Sequence, residues 1–174
     1  LAITDAEGQT MRQNAIDAQV TFMMATKFRF VDDVVKAKGI IESGMLGRIL
    51  FFENTLCSFV DMTQRWNSKP EISGGGVLID NGTHSLDIAR FLLGDIDSIQ
   101  TVRGSQIQEI SVEDTVRIFF KTRTEVLGTV DLSWSLHKPL DDYVTIHGTE
   151  GSLSIGWKRS RYLVRNQQDW MVYG

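Results

Sequence analysis

The chain has 174 residues, of which 42% are apolar and 23% charged. That is the composition of a globular protein with one ordinary core, not of a disordered one. A formal net charge of −4 argues against nucleic acid or an anionic membrane as main partner, and no apolar run is long enough to span a bilayer. The single cysteine, Cys57, excludes an intrachain disulfide and suits a reducing, cytoplasmic setting.

In chain order, Thr4-Asp5-Ala6-Glu7 reads as a capping box, with a helix expected from there to about Ala18. Residues 20–25 are bulky and apolar and read as a short buried strand. After Lys27-Phe28-Arg29-Phe30, a helix is expected over 32–43, with Gly44 placed for a left-handed C-terminal cap. Residues 49–60 read as a long central strand, apolar on both faces. Residues 61–73 are polar, contain Arg65, Trp66 and Pro70, and read as a loop.

The stretch Gly74-Gly75-Gly76-Val77-Leu78-Ile79-Asp80-Asn81-Gly82-Thr83-His84-Ser85-Leu86-Asp87 opens a helix expected over 75–93 that is apolar almost all round. Such a helix is normally buried. Asp80, His84 and Asp87 nevertheless fall at i, i+4 and i+7, on one stripe. Polar groups there need partners or a task, because unpaired burial costs roughly 2–7 kcal/mol each. The stripe is therefore either a satisfied structural Asp–His contact or the wall of a cleft that performs acid–base chemistry.

Beyond Gly94 strands are expected over 96–107, 112–121, 125–137, 142–147, 152–157 and 162–165, the second and third joined as a hairpin at Thr122-Arg123-Thr124. In the third, Val126, Gly128, Val130, Leu132 and Trp134 alternate with Leu127, Thr129, Asp131, Ser133 and Ser135, giving one apolar and one mixed face. The fold class that follows is α+β, a mainly antiparallel sheet with helices packed on one face. His137 and His147 have no partners at metal-ligand spacing, so no metal site is expected.

The G-G-G-x-L-x-D-x-G-x-H-x-x-D pattern of residues 74–87 resembles the signature of the glucose–fructose oxidoreductase and inositol dehydrogenase (Gfo/Idh/MocA) family, and Gly148-Thr149-Glu150-Gly151 is similar to a recurrent turn of that family. The resemblance implies a Rossmann domain followed by a substrate domain. Residues 1–27 would be the last helix–strand pair of the Rossmann domain. Residues 28–174 would be the substrate-binding and oligomerisation domain, truncated at its C-terminus.

Leu1-Ala2-Ile3-Thr4 resembles the residues that follow the family's Glu-Lys-Pro tripeptide, so its catalytic lysine would precede Leu1. Neither Lys69-Pro70 nor Lys138-Pro139 stands in that context, and no G-x-G-x-x-G follows a strand. The expectation is NAD or NADP in the intact protein, and no tight cofactor binding or catalysis by these 174 residues alone.

By resemblance His84 is the proton-transfer residue and Asp80 orients substrate or tunes it. Asn81 either bonds a second hydroxyl or is an ordinary helix-face amide. Arg65 and Trp66 would line the sugar site, with Trp66 as a core anchor the alternative. Arg29 approaches the nicotinamide or is a solvated charge at the domain junction, and Asp87 is a cap or salt-bridge partner. The implied function is oxidation or reduction at a carbinol of a sugar, polyol or related small molecule. The alternative is a non-catalytic ligand-binding or self-association module on the same fold. A homo-oligomer formed through the sheet face is expected.

Overall fold

A computed structural model describes residues 2–174. Its helices follow the local signals. Thr4 Oγ1 accepts from the Glu7 N–H at 3.3 Å while the Glu7 carboxylate accepts from the Thr4 N–H at 3.2 Å, and α1 runs Asp5–Asp17. A single 3-10 turn at Lys27–Phe30 leads into α2, Asp32–Glu42, which stops where Gly44 takes φ 76°. Strand β1 spans Ile49–Cys57. The polar segment after it is not all loop: it holds a 3-10 turn at Trp66–Ser68 and a one-turn helix α3, Pro70–Ser73, with Pro70 at the first position. Helix α4 then runs Val77–Leu93.

Seven more strands follow: β2 (Ile96–Arg103), β3 (Thr115–Thr122), β4 (Leu127–Ser133), β5 (Asp142–Gly148), β6 (Gly151–Gly156), β7 (Arg161–Val164) and β8 (Met171–Val172). All eight strands form one sheet in the order β2-β3-β4-β1-β5-β6-β7-β8. Every pairing is antiparallel except β1 with β4. A parallel pair needs a long crossover, and here α4 and the β2–β3 hairpin supply it.

The core lies between one sheet face and helices α2 and α4. It takes Phe52 from β1, Ile118 and Phe120 from β3, Val130 and Leu132 from β4, Val144 and Ile146 from β5, and Leu153 and Ile155 from β6. Helix α4 contributes Val77, Ile88, Ala89 and Leu92, and α2 contributes Val34 and Ala37. The opposite sheet face is uncovered within the chain. Phe51 is paired beside Leu127, and Thr129 lies between Glu53 and Phe119.

Other expectations change as well. Residues 20–26 form no strand, and Val20, Phe22, Met23 and Met24 are exposed. An apolar run becomes a strand only beside another strand, and none of the eight lies along it. Strand β1 is central but not apolar on both faces, since Phe51 and Glu53 point to the uncovered side while Phe52 and Asn54 are buried. Helix α4 is buried along one face only, with Ile79 exposed. No described helix is long and apolar enough to cross a membrane.

Candidate active site

The start of α4 is fixed by one residue 37 positions away. Glu113 Oε1 accepts from the N–H groups of Gly76 (2.9 Å) and Leu78 (3.1 Å), and the Glu113 carbonyl accepts from Val77 at 2.9 Å. Gly76 itself offers no side-chain cap, so Glu113 takes that role and adds a negative charge at the positive end of the helix. A Cβ on Gly76 would overlap the Glu113 carbonyl oxygen and lie 2.9 Å from that residue's backbone C and N. The triple glycine is thus a close backbone approach at its third position.

One turn on from this anchor, Asp80, Asn81 and His84 project from α4 into a cleft of about 430 Å³. Its other walls come from distant parts of the chain. The 3-10 turn gives Lys27 and Phe28, the end of β1 gives Thr55, Leu56 and Cys57, and the β4–β5 connection gives Lys138 and Leu140. The residue after β6, Trp157, completes it. A second cavity of about 300 Å³ opens on the other side of the same helix, lined by Ile3, Trp66, Ile72 and Ile79. Asp80 and His84 line both cavities.

His84 is partly buried and stands edge-on to Phe28, the ring centroids 5.5 Å apart and the planes at 68°. Its Nδ1 is buried without a hydrogen-bond partner among the described residues. No hydrogen bond joins it to Asp80 among them, so the satisfied Asp–His contact is not what the helix builds. An unpaired buried ring nitrogen in a cleft is an unusual state for a merely structural histidine. Cys57 is half-buried, and burial first, then the nearby Asp131 charge, pushes its thiol up to about 11. At neutral pH it is a protonated wall group and not a nucleophile.

Of the residues singled out in the sequence, Asp80, Asn81 and His84 meet in the larger cleft, and Trp66 lines the smaller. Trp66 is 61% exposed and no core anchor. Arg65 lines neither cavity. The Arg29 guanidinium, still partly exposed, pairs with both carboxylate oxygens of Asp87 and lies 5.6 Å from the Phe91 ring centroid. Burial pushes the Asp87 carboxyl up, but hydrogen bonds from Arg29 and Thr26 together with the Arg29 and Arg90 charges outweigh it and hold the group below the usual carboxylate range. This fork fastens the Lys27–Phe30 turn, with its cleft residues Lys27 and Phe28, to α4.

Reasoning from the sequence missed Lys27, Lys138 and Trp157 as cleft residues and Glu113 as the anchor. None carries a local signal, because each reaches its place through the fold.

Residues 34–154 match the family described as the GFO/IDH/MocA C-terminal domain. Among curated relatives, the levoglucosan dehydrogenase of Pseudarthrobacter phenanthrenivorans is 29% identical over 91% of the chain and 48% of its own length. The D-apiose dehydrogenase of Rhizobium rhizogenes is 25% identical over 86% of the chain and 44% of its own length. The D-xylose 1-dehydrogenase [NADP(+)] of Haloarcula marismortui is 29% identical over 78% and 39%. A solved levoglucosan dehydrogenase in complex with NADH and levoglucosan superposes with a TM-score of 0.88 at 26% identity, over 99% of this chain and 52% of that one. The chain thus spans about half the length, or less, of these relatives.

Proposed function

The chain belongs to the GFO/IDH/MocA family, and from that premise we propose that it is the substrate domain of an NAD(P)-dependent oxidoreductase acting on a carbinol of a sugar, polyol or related small molecule. The observation that carries the reading is the place of Asp80 and His84, shared by two adjoining cavities. Hydride transfer needs the carbinol C–H held directly against the acceptor ring, with a proton acceptor beside the hydroxyl. Relatives named as sugar dehydrogenases, one of them solved with NADH and levoglucosan, support the same chemistry.

In this reading the larger cleft takes the substrate and His84 accepts the hydroxyl proton. A neutral imidazole suits that task near neutral pH. Asp80, one turn earlier, orients the reacting hydroxyl and stabilises the imidazolium that forms. Asn81 bonds a neighbouring hydroxyl. Arg29 holds the Lys27–Phe30 turn against α4 through Asp87 and so keeps the cleft wall in place. Trp66, Ile3, Ile72 and Ile79 offer an apolar wall on the second side. The chain carries no glycine-rich dinucleotide loop, so it would border the reactive ring of the cofactor and leave the pyrophosphate to another domain. When bound, the nicotinamide supplies the hydride acceptor.

The uncovered sheet face, with Phe51 51% and Leu127 50% exposed in adjacent strands, suits burial against a second copy of the chain. A homo-oligomer is part of the proposal.

The test is NAD(P)H formation by the complete polypeptide, cofactor domain included, on a panel of monosaccharides, polyols and sugar acids. Turnover on members of the panel supports the reading. Ligand binding in the cleft without any reduction of NAD⁺ or NADP⁺ would favour the non-catalytic module instead.

A further inference from the structure

We infer that the larger cleft is built for a ring compound carrying an anionic group, a carboxylate above all, in preference to a neutral sugar. The inference rests on that cleft being the substrate site. The chain as a whole is acidic, at −4, yet the cleft is lined by two lysines, Lys27 and Lys138, and one carboxylate, Asp80. Lys27 forms no ion pair among the described residues. Its Nζ stands 5.2 Å from the centroid of the Phe28 ring, so the ammonium is held at the cleft wall over an aromatic face.

Lys138 is paired, its Nζ lying 2.8 Å from Asp131 Oδ2. That carboxylate is already gripped by Arg117, at 2.6 and 3.0 Å. One negative charge shared by two cations leaves the cluster with a net positive charge. Asp80 sits on α4, whereas the lysines come from the 3-10 turn and the β4–β5 connection. A ligand that turns its reacting hydroxyl toward Asp80 and His84 can therefore place its charge near the lysines.

Two aromatic rings, Phe28 and Trp157, also line the cleft, and buried Tyr143 packs against both. Tyr143 and Trp157 have ring centroids 4.5 Å apart, Phe28 lies 5.7 Å from Tyr143, and Trp157 is 58% exposed. Flat apolar surface of that kind accepts the C–H face of a pyranose ring, while the few polar groups fix its orientation. A pyranose acid satisfies both features at once.

The experiment uses the complete polypeptide and two matched pairs, D-glucuronate against D-glucuronamide and D-galacturonate against D-galacturonamide. In each pair the shape is kept and the charge removed. Binding is titrated at low and high salt. The acid of at least one pair should bind about tenfold or more tightly than its amide, the gain expected of a charge-assisted hydrogen bond, and salt should shrink the difference. Lys27→Gln should abolish most of the difference, and Trp157→Ala should weaken acid and amide alike.

Equal binding of acid and amide in both pairs overturns the inference, even if both are oxidised and the proposed function stands. An acid preference without any reduction of NAD⁺ or NADP⁺ upholds it and counts against the catalytic reading. NADH is titrated in parallel: if Lys27→Gln weakens NADH binding and leaves the acid-to-amide ratio untouched, the lysine serves the cofactor phosphates and the inference fails.

Discussion

Replacing Gly76 with alanine should damage the protein more than the same change at Gly75 or Gly74. At position 76 the new methyl meets backbone, 2.9 Å from the C and N of Glu113 and overlapping its carbonyl oxygen. Ordinary carbon contacts need about 3.5 Å, so the start of α4 and residue 113 must separate. Overpacking of this kind costs about 1–3 kcal/mol. Separation also strains the three hydrogen bonds by which Glu113 holds Gly76, Val77 and Leu78, each contributing about 0.5–1.5 kcal/mol or more where the acceptor is charged. A total loss of about 3 kcal/mol is expected.

At Gly75 the nearest atom is Cγ1 of Ile79, at 2.8 Å, on an exposed side chain rather than on backbone, so a rotamer change can relieve it and the loss should be about 1 kcal/mol, smaller than at Gly76. Gly74 has φ 76°, where a Cβ costs about 1–2 kcal/mol. Urea unfolding followed by tryptophan fluorescence would rank the three variants. Gly76→Ala as stable as the parent, or less harmful than Gly75→Ala, would refute the close-approach account of the glycine run.

Glu113→Ala should destabilise by about 1–2 kcal/mol, and Glu113→Gln, which keeps an acceptor oxygen, should restore most of that in the same titration; equal losses would show that the side-chain bonds do not matter. The carboxyls of Asp87, Asp114 and Asp131 are pushed up by burial, but hydrogen bonds outweigh this and hold each below its ordinary value of 3.8. Depressed values mean stability that is complete above the unfolded value and lost as pH falls through the folded ones. Tm should therefore be flat from neutral pH to about 5 and drop below about 4, with Asp114→Asn lowering neutral Tm and flattening the acid limb; a Tm that rises on acidification contradicts this. Thr129→Arg, placed between Glu53 and Phe119 on the uncovered face, should shift light scattering from dimer or larger toward monomer at tens of micromolar, a typical weak-dimer range. A wild-type monomer there would remove the sheet-face interface.

What was legible in the sequence was what depends on near neighbours. The capping box of Thr4 and Glu7, the left-handed stop at Gly44, the β3–β4 hairpin and the two faces of β4 are set by spacings of a few residues, and they formed. The stripe of Asp80 and His84 was readable for the same reason, since helical period alone puts them on one side. The rest is decided across the chain. The ion pair of Arg29 and Asp87 joins residues 58 apart, and the Glu113 anchor spans 37. Lys27, Lys138 and Trp157 reach one cleft from three separate connections. The expected strand over 20–25 failed because strand formation needs a partner, which composition does not supply. Strand β8, two residues long beside β7, was too short to leave a pattern.

The most direct test of the account is the turnover of His84→Ala in the complete polypeptide, measured on whichever substrate the wild type oxidises and with unfolding checked in parallel. Loss of the proton acceptor should lower kcat by about 10²- to 10⁴-fold with the fold intact. Near-normal kcat in a folded His84→Ala protein would contradict the central claim that His84 carries the proton transfer.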